Sequence, residues 1–157
     1  MTKPTIYLAA GGTGGHLFPA IALARALQKK NFKTIILTDA RAMQYASQTE
    51  GVDLQLLTSG SIYSGGKIKK FLAPLKILLG VLKAMIIMIS NRPVAVIGFG
   101  GYPSFPPLLA ARLLFCKIAI HEQNAVLGRA NRMLSLLGAR IAASYAGTRH
   151  VPSSLSL

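Results

Sequence analysis

Ala9-Ala10-Gly11-Gly12-Thr13-Gly14-Gly15-His16 is the stretch on which the reading of this chain turns. Before it lies Thr5-Ile6-Tyr7-Leu8, a short apolar run of strand formers. After it, residues 17–27 are rich in Ala, Leu and Arg and favour a helix. Strand, glycine loop and helix in succession place backbone N–H groups of a helix start against an open site. Four glycines in five positions allow positive φ and let another molecule approach the backbone. The unpaired N–H groups and the positive end of the helix dipole favour a phosphate or a developing oxyanion. A tight turn chosen only for packing is the plainer alternative, and the glycine density together with a titratable His16 argues against it. Read from Gly12, the dinucleotide pattern G-x-G-x-x-G requires glycine where Leu17 stands, so the spacing disfavours a standard NAD site.

The remaining pattern alternates between strand-like and helix-like segments. Strands are expected at residues 33–38, 52–57, 93–97, 117–120 and 141–143, and helices at 40–49, 68–90, 106–114 and 129–137. Apolar strands alternating with helices indicate an α/β fold, a Rossmann-like parallel sheet with helices on both faces. Ligands of such sheets sit beyond the carboxyl ends of the strands, near the point where strand order reverses. Two further motifs follow strands and should share that rim. Gly98-Phe99-Gly100-Gly101-Tyr102-Pro103 is a second glycine loop, suited beside the first to a diphosphate or, alone, to a turn. His121-Glu122-Gln123-Asn124 places four polar residues after a buried strand, and Glu122 is the only carboxylate after Asp53. A charge so isolated is expected to anchor something specific, such as His121 or a substrate hydroxyl; a polar loop with a helix cap is the alternative. His16 at a helix start should have a lowered pKa and can serve as a general base near neutral pH. His150 carries no assignment.

Composition narrows the class. With 157 residues the chain suits one domain with a real core. Its 18 Lys and Arg against 4 Asp and Glu give a net charge of +14, a field that attracts polyanions, anionic lipid or phosphorylated substrates. No nucleic-acid motif accompanies that charge, and the basic residues are dispersed among apolar ones. The single Cys116 excludes a disulfide framework or cysteine metal cluster, fits a reducing compartment, and reads as a small buried hydrophobe. The aspartates Asp39 and Asp53 stand apart, with no Asp-x-Asp pair for a divalent ion; no metal is expected. The start, Met1-Thr2-Lys3-Pro4, shows no signal-peptide pattern, which points to the cytoplasm or its face of a membrane.

Residues 71–89 are apolar almost all round, broken by Lys76 and Lys83, which with Lys69 fall at heptad spacing on one stripe. Core, interfacial and spanning placements are open for this helix. Two interior lysines cost roughly 2.5–3.5 kcal/mol each near a bilayer centre, which disfavours spanning. The preferred placement has one side on the sheet and the other in a membrane interface, where Lys67, Lys69 and Lys70 meet anionic headgroups for about 1 kcal/mol each.

Taken together, Gly11-Gly12-Thr13-Gly14-Gly15-His16, Gly98-Phe99-Gly100-Gly101-Tyr102 and His121-Glu122-Gln123-Asn124 closely resemble, in order and spacing over residues 4–146, the MurG family of N-acetylglucosaminyltransferases, glycosyltransferase family 28. The resemblance implies the N-terminal half of a GT-B architecture that transfers GlcNAc from UDP-GlcNAc to lipid I, forming lipid II in peptidoglycan synthesis. It implies an inverting, metal-independent reaction without cofactor, at the cytoplasmic face of the bacterial inner membrane as a peripheral protein. Carried over by position, Thr13, Gly14, Gly15 and Asn124 touch the UDP-GlcNAc donor. His16 matches the proposed base, and Gly100, Gly101 and Tyr102 lie by the acceptor diphosphate. His121, Glu122 and Gln123 support them. The family continues after Ala146 into a donor domain, whereas here residues 147–157 form a divergent tail. The expectation is a domain over 1–146 without its donor half, either a truncated product or one chain of a two-chain enzyme like the eukaryotic dolichol-linked transferase. Two other classes are weighed: an oxidoreductase nucleotide-binding domain with Asp39 on a ribose, and a non-catalytic membrane-surface module.

Overall fold

In the computed structural model, residues 3–57 and 67–157 are described, apart from the side chains of Ala46 and of residues 67–72. The Gly- and Ser-rich segment 59–66, expected as a loop between the strand at 52–57 and the helix at 68–90, and the side chains of Lys67, Lys69 and Lys70 lie outside them. Six strands form one sheet: β1 (Thr5–Ala9), β2 (Lys33–Thr38), β3 (Asp53–Leu56), β4 (Pro93–Gly98), β5 (Lys117–Glu122) and β6 (Arg140–Ala143). Their order is β3-β2-β1-β4-β5-β6 and each pairing is parallel. The expected α/β parallel sheet is therefore present, with its reversal of order between β1 and β4.

Alternation along β1 shows why helices cover both faces. Ile6 and Leu8 point to one side, where they meet Leu17, Ala20, Ile21 and Ala24 of α1 (Gly14–Lys29). Tyr7 and Ala9 point to the other. There they meet Val81, Ala84 and Met88 of α2 (Lys67–Ser90), Leu108, Ala110 and Ala111 of α3 (Phe105–Leu113), and Leu134 of α4 (Arg129–Ser135).

Three elements differ from expectation. Helix α1 begins at Gly14 rather than at residue 17, with Thr13 as its extended N-cap, so Gly14, Gly15 and His16 form its first turn. Residues Ala40–Thr49 wind as 3₁₀ turns kinked at Tyr45, with the Asp39 carboxylate accepting from the Arg41 N–H as cap. Strand β5 runs on to Glu122, because His121 and Glu122 pair with Ala142 and Ala143 of β6. The last residues return to the same edge, where Leu157 N–H donates to the Ile141 carbonyl at 2.8 Å.

At Gly12 the first loop owes its glycine to space, and at none of its four glycines to backbone sign, a correction to the sequence reading. Positive φ occurs at Gly100 and Gly101 of the second loop, at 90° and 75°, but at none of Gly11, Gly12, Gly14 and Gly15. A Cβ on Gly12 would meet the Ala42 nitrogen at 2.7 Å and Arg41 Cβ at 2.8 Å, whereas one on Gly15 would meet nothing within 4 Å. Gly12→Ala should thus cost about 1–3 kcal/mol by overpacking against backbone that cannot swing away. Gly15→Ala should fold with unchanged or slightly raised stability, since alanine favours a helix turn by up to about 1 kcal/mol. Urea denaturation of the two variants checks both, and equal losses would refute the division.

Candidate active site at the strand-order reversal

The loops after β1, β4 and β5 meet at one rim, as their positions after strands required. Gly11 N–H donates to the Gly100 carbonyl at 3.2 Å, and Phe99 N–H to the Ala9 carbonyl at 2.8 Å. Ser104, fully buried, stands at the start of α3 with its Oγ 2.8 Å from the Ala9 carbonyl and 2.7 Å from that of Gly100. One hydroxyl therefore ties the two glycine loops together. The sequence reading passed over it, because a serine in Tyr-Pro-Ser-Phe shows no local sign of contacts some 95 positions away.

His16 rises from the first turn of α1 into this junction. A Cβ on Gly11, Gly100 or Gly101 would meet its ring at 3.2–3.3 Å, so the glycines leave the imidazole flat against bare backbone. Its Nδ1 lies 2.6 Å from Nε2 of Gln123 on the β5 loop. The pKa is lowered from 6.5, as expected, but chiefly by burial; the Phe99 carbonyl and the Glu122 charge pull it up and the Arg41 charge down. Helix geometry leaves the Gly14 and Gly15 N–H groups without an intrahelical acceptor at the same rim. Tyr102 follows Gly101 as a half-buried residue of the 3₁₀ turn Tyr102–Ser104.

Glu122 does not serve His121 or stand open to a substrate, which corrects the expectation. It is 1% exposed, and both its oxygens are taken. Oε1 accepts from Asn124 N–H and Nδ2 at 2.9 and 2.8 Å, and Oε2 from Gly128 N–H and Asn131 Nδ2 at 2.8 Å each. Burial raises its pKa, yet the hydrogen bonds from Gly128, Asn124 and Asn131 outweigh that and hold it below the usual value. The carboxylate is thus the organising charge of the loop between β5 and α4. Asn131, unnoticed in the sequence, also donates from Nδ2 to the His121 carbonyl at 3.3 Å. Asn124 is exposed, and with one amide N–H on Glu122 it keeps Oδ1 and the second N–H for a ligand. His121 faces away from His16: Nε2 is 3.2 Å from Ser144 Oγ, the ring packs on Phe99, and burial lowers its pKa.

Asp39 is occupied as well. Arg41 binds both of its oxygens through Nε at 3.1 Å and Oδ2 through Nη2 at 2.6 Å, and the Gly12 N–H adds a further bond. A carboxylate so engaged does not present itself to a ribose, which removes the structural basis of the oxidoreductase alternative.

On the far face, α2 splits into two sides. Ala73, Val81, Ala84 and Met88 are buried, whereas Leu75, Leu78, Leu79, Leu82, Ile86 and Ile89 are each about half exposed or more. By length and composition its stretch Ala73–Ser90 is apolar enough to cross a membrane, with 28% of it buried in the fold. Lys76 is exposed, and Lys83 lays its Nζ on the Leu56 carbonyl at 3.1 Å, so the lysine stripe is not wholly free. Cys116 is half-buried and packs against the core.

Residues 6–143 match the glycosyltransferase family 28 N-terminal domain. The chain belongs to that family. It is 46% identical over 154 residues, 98% of its length, to the UDP-N-acetylglucosamine--N-acetylmuramyl-(pentapeptide) pyrophosphoryl-undecaprenol N-acetylglucosamine transferase of Paramagnetospirillum magneticum, covering 42% of that protein. It is 47% identical over 135 residues, 86% of its length, to the enzyme of the same name from Allorhizobium ampelinum, covering 36% of it. The crystal structure of Acinetobacter baumannii MurG superposes with a TM-score of 0.83 at 35% identity, over 98% of this chain and 45% of that one. The chain thus spans less than half the length of these relatives. A UDP-GlcNAc 2-epimerase from Methanocaldococcus jannaschii, 16% identical with a TM-score of 0.61 over 92% of this chain and 40% of its own, shares the fold alone.

The four hydrogen bonds on Glu122 set a pH dependence. Its pKa is lowered on folding, so its contribution is present above the unfolded carboxylate value, near 4.5, and is lost as pH falls through the lower folded value. Thermal melts should show that loss in the native chain. Glu122→Gln should abolish it and lower stability at pH 7 by about 1–3 kcal/mol, because an NH₂ then faces donors. A variant that melts like the native chain at pH 7 would remove Glu122 from this role.

Proposed function

We propose that this chain is the acceptor-side half of an N-acetylglucosaminyltransferase that moves GlcNAc from UDP-GlcNAc to lipid I, giving lipid II for peptidoglycan. The observation that carries the reading is the meeting of His16, the helix start at Gly14-Gly15 and the second glycine loop at one rim, in a member of this family. The attacking sugar hydroxyl gives its proton to His16 as its oxygen bonds the anomeric carbon of GlcNAc. The bond from that carbon to the diphosphate breaks, and UDP leaves with the electron pair in an inverting displacement. Burial keeps His16 unprotonated at neutral pH, the state a base needs. Thr13, Gly14 and Gly15 meet the donor, with N–H groups stabilising the leaving charge. The open space beside Gly15 supports this, since a ligand fits where no packing demands glycine. Asn124 meets the donor sugar through its side-chain amide, and Gly100, Gly101 and Tyr102 line the acceptor diphosphate. Residues 1–146 form the functional domain, and the remaining donor contacts come from a C-terminal donor half.

The same reading places the chain on the cytoplasmic face of the inner membrane. Support comes from the half-exposed leucines and isoleucines of α2 together with the net charge of +14. Such a surface should bind anionic liposomes, weaken in high salt and not vanish there, because the apolar part is unscreened. Sedimentation with neutral and anionic vesicles checks this, and equal binding to both would remove the electrostatic part.

Activity is tested by fusing the chain to the donor half of a relative. His16→Ala should lower kcat about 10²–10⁴-fold with the donor KM little changed. In the unaltered fusion the acid limb of kcat/KM should lie below 6.5, since burial depresses the histidine. A folded His16→Ala fusion with near-normal kcat would take the base role from His16.

A further inference from the structure

Among the described residues, Gln123 is the side chain that a hydrogen bond joins to His16 across the rim. It sits 107 positions away in sequence, yet its amide lies with Nε2 2.6 Å from Nδ1 of the ring. Glycines flank the imidazole elsewhere, and the Phe99 carbonyl is near enough to raise its pKa. We propose that Gln123 is a positioning residue that turns its amide oxygen to the Nδ1–H of His16 and so keeps the lone pair on Nε2 for the incoming hydroxyl. This rests on His16 being the base.

The choice between the two ends of the amide follows from hydrogen-bond accounting and from chemistry. Amide oxygen and nitrogen have the same shape, and their assignment is settled by the partners they find. With nitrogen toward Nδ1, the ring proton is forced onto Nε2, and Oε1 of Gln123 is buried with no donor. Half a turn about the last side-chain bond puts that oxygen on Nδ1–H and gives the orphaned acceptor its donor, and it moves the NH₂ to the place Oε1 held, which has no donor to oppose it. It also selects the ring form in which Nε2 is bare. In the other form the lone pair is on Nδ1, turned to Gln123, and an acceptor at one ring nitrogen is the means of freeing the other. Glu122 completes the arrangement from behind: its bonds to Asn124, Gly128 and Asn131 hold the loop that presents Gln123.

The test is NMR of the 157-residue chain labelled with ¹⁵N, reading the His16 ring nitrogens through long-range proton correlations. His16→Asn removes and thereby assigns the signals. The native chain should carry its proton on Nδ1. Gln123→Met, of similar length and without hydrogen bonds, should move it to Nε2, and Gln123→Glu should restore the Nδ1–H form. A native chain protonated on Nε2 overturns the proposal, as does a Gln123→Met ring unchanged from native, which would give the role to the Phe99 carbonyl. Should Gln123→Met not fold, Gln123→Ala takes its place with the same expectation and the same overturning outcome. In the fused enzyme Gln123→Met should lower kcat roughly 10–100-fold with the donor KM nearly constant, whereas a purely structural residue would raise KM alongside. The two readings fail separately. A Gln123-dependent ring proton with full kcat in His16→Ala keeps the pair and removes the base; the wrong ring form with a large kcat loss in His16→Ala does the reverse.

Discussion

The site depends on two stretches of backbone lying against each other without side chains between them. Gly11 N–H meets the Gly100 carbonyl at 3.2 Å, and the buried Ser104 hydroxyl bridges Ala9 and Gly100 from beneath. This contact occurs between β1 and β4, where strand order reverses and the carboxyl ends of a parallel sheet open a crevice. His16 then lies flat over Gly11, Gly100 and Gly101, a position that a Cβ on any of the three would crowd. Close backbone approach thus sets where the imidazole can be, and the imidazole sets what chemistry the crevice supports.

A second constraint comes from the third loop. A carboxylate at 1% exposure is tolerated only with its lone pairs filled, and Glu122 finds four donors within six residues of chain and on α4. Those bonds fold residues 122–131 into a fixed platform, so a buried charge that contacts no substrate still determines where Gln123 and Asn124 project. Asp39 acts likewise on the first loop. Bound by Arg41 and by Gly12 N–H, it packs the 3₁₀ turn of Ala40–Thr49 against the glycines. Two of the four acidic residues of the chain are therefore spent on shaping loops.

Much of this was legible in the sequence, for physical reasons that also mark the limits. Apolar runs of strand length alternating with helical ones fixed the parallel sheet, and motifs directly after strands had to share its carboxyl rim. The lowered pKa of His16 was foreseen, though burial and not the helix start is its main cause. Positions whose reason is a distant contact stayed hidden. Gly12 is small because Arg41 and Ala42 press on it, and Ser104 and Asn131 matter through partners on other elements. Their neighbours in sequence carry no trace of these contacts. The role of Glu122 was misjudged for the same reason: isolation in a basic chain signals that a carboxylate is anchored, but not to what.

The direction of α2 connects the apolar face to the site. It follows β3, whose carboxyl end is at the rim, and ends near Asn91, which bonds Thr5 at the opposite end of β1. Lys83 lies at the rim end of β3 and Asn91 at the opposite end of the sheet, so the turns with Leu75, Leu78 and Leu79 lie toward the rim and those with Ile86 and Ile89 toward the far end. Lys83, with its ammonium on the Leu56 carbonyl, ties this helix to the rim end of β3. An acceptor whose reacting sugar is joined through a diphosphate to a lipid needs a water-filled site within a short reach of an apolar surface. On the proposed function, a helix buried on one side and apolar on the other, with its earlier turns toward that rim, supplies such a surface. Exposed leucines and isoleucines in a row cost solubility and contribute nothing to a core, so that face of the helix calls for an apolar surface to cover it.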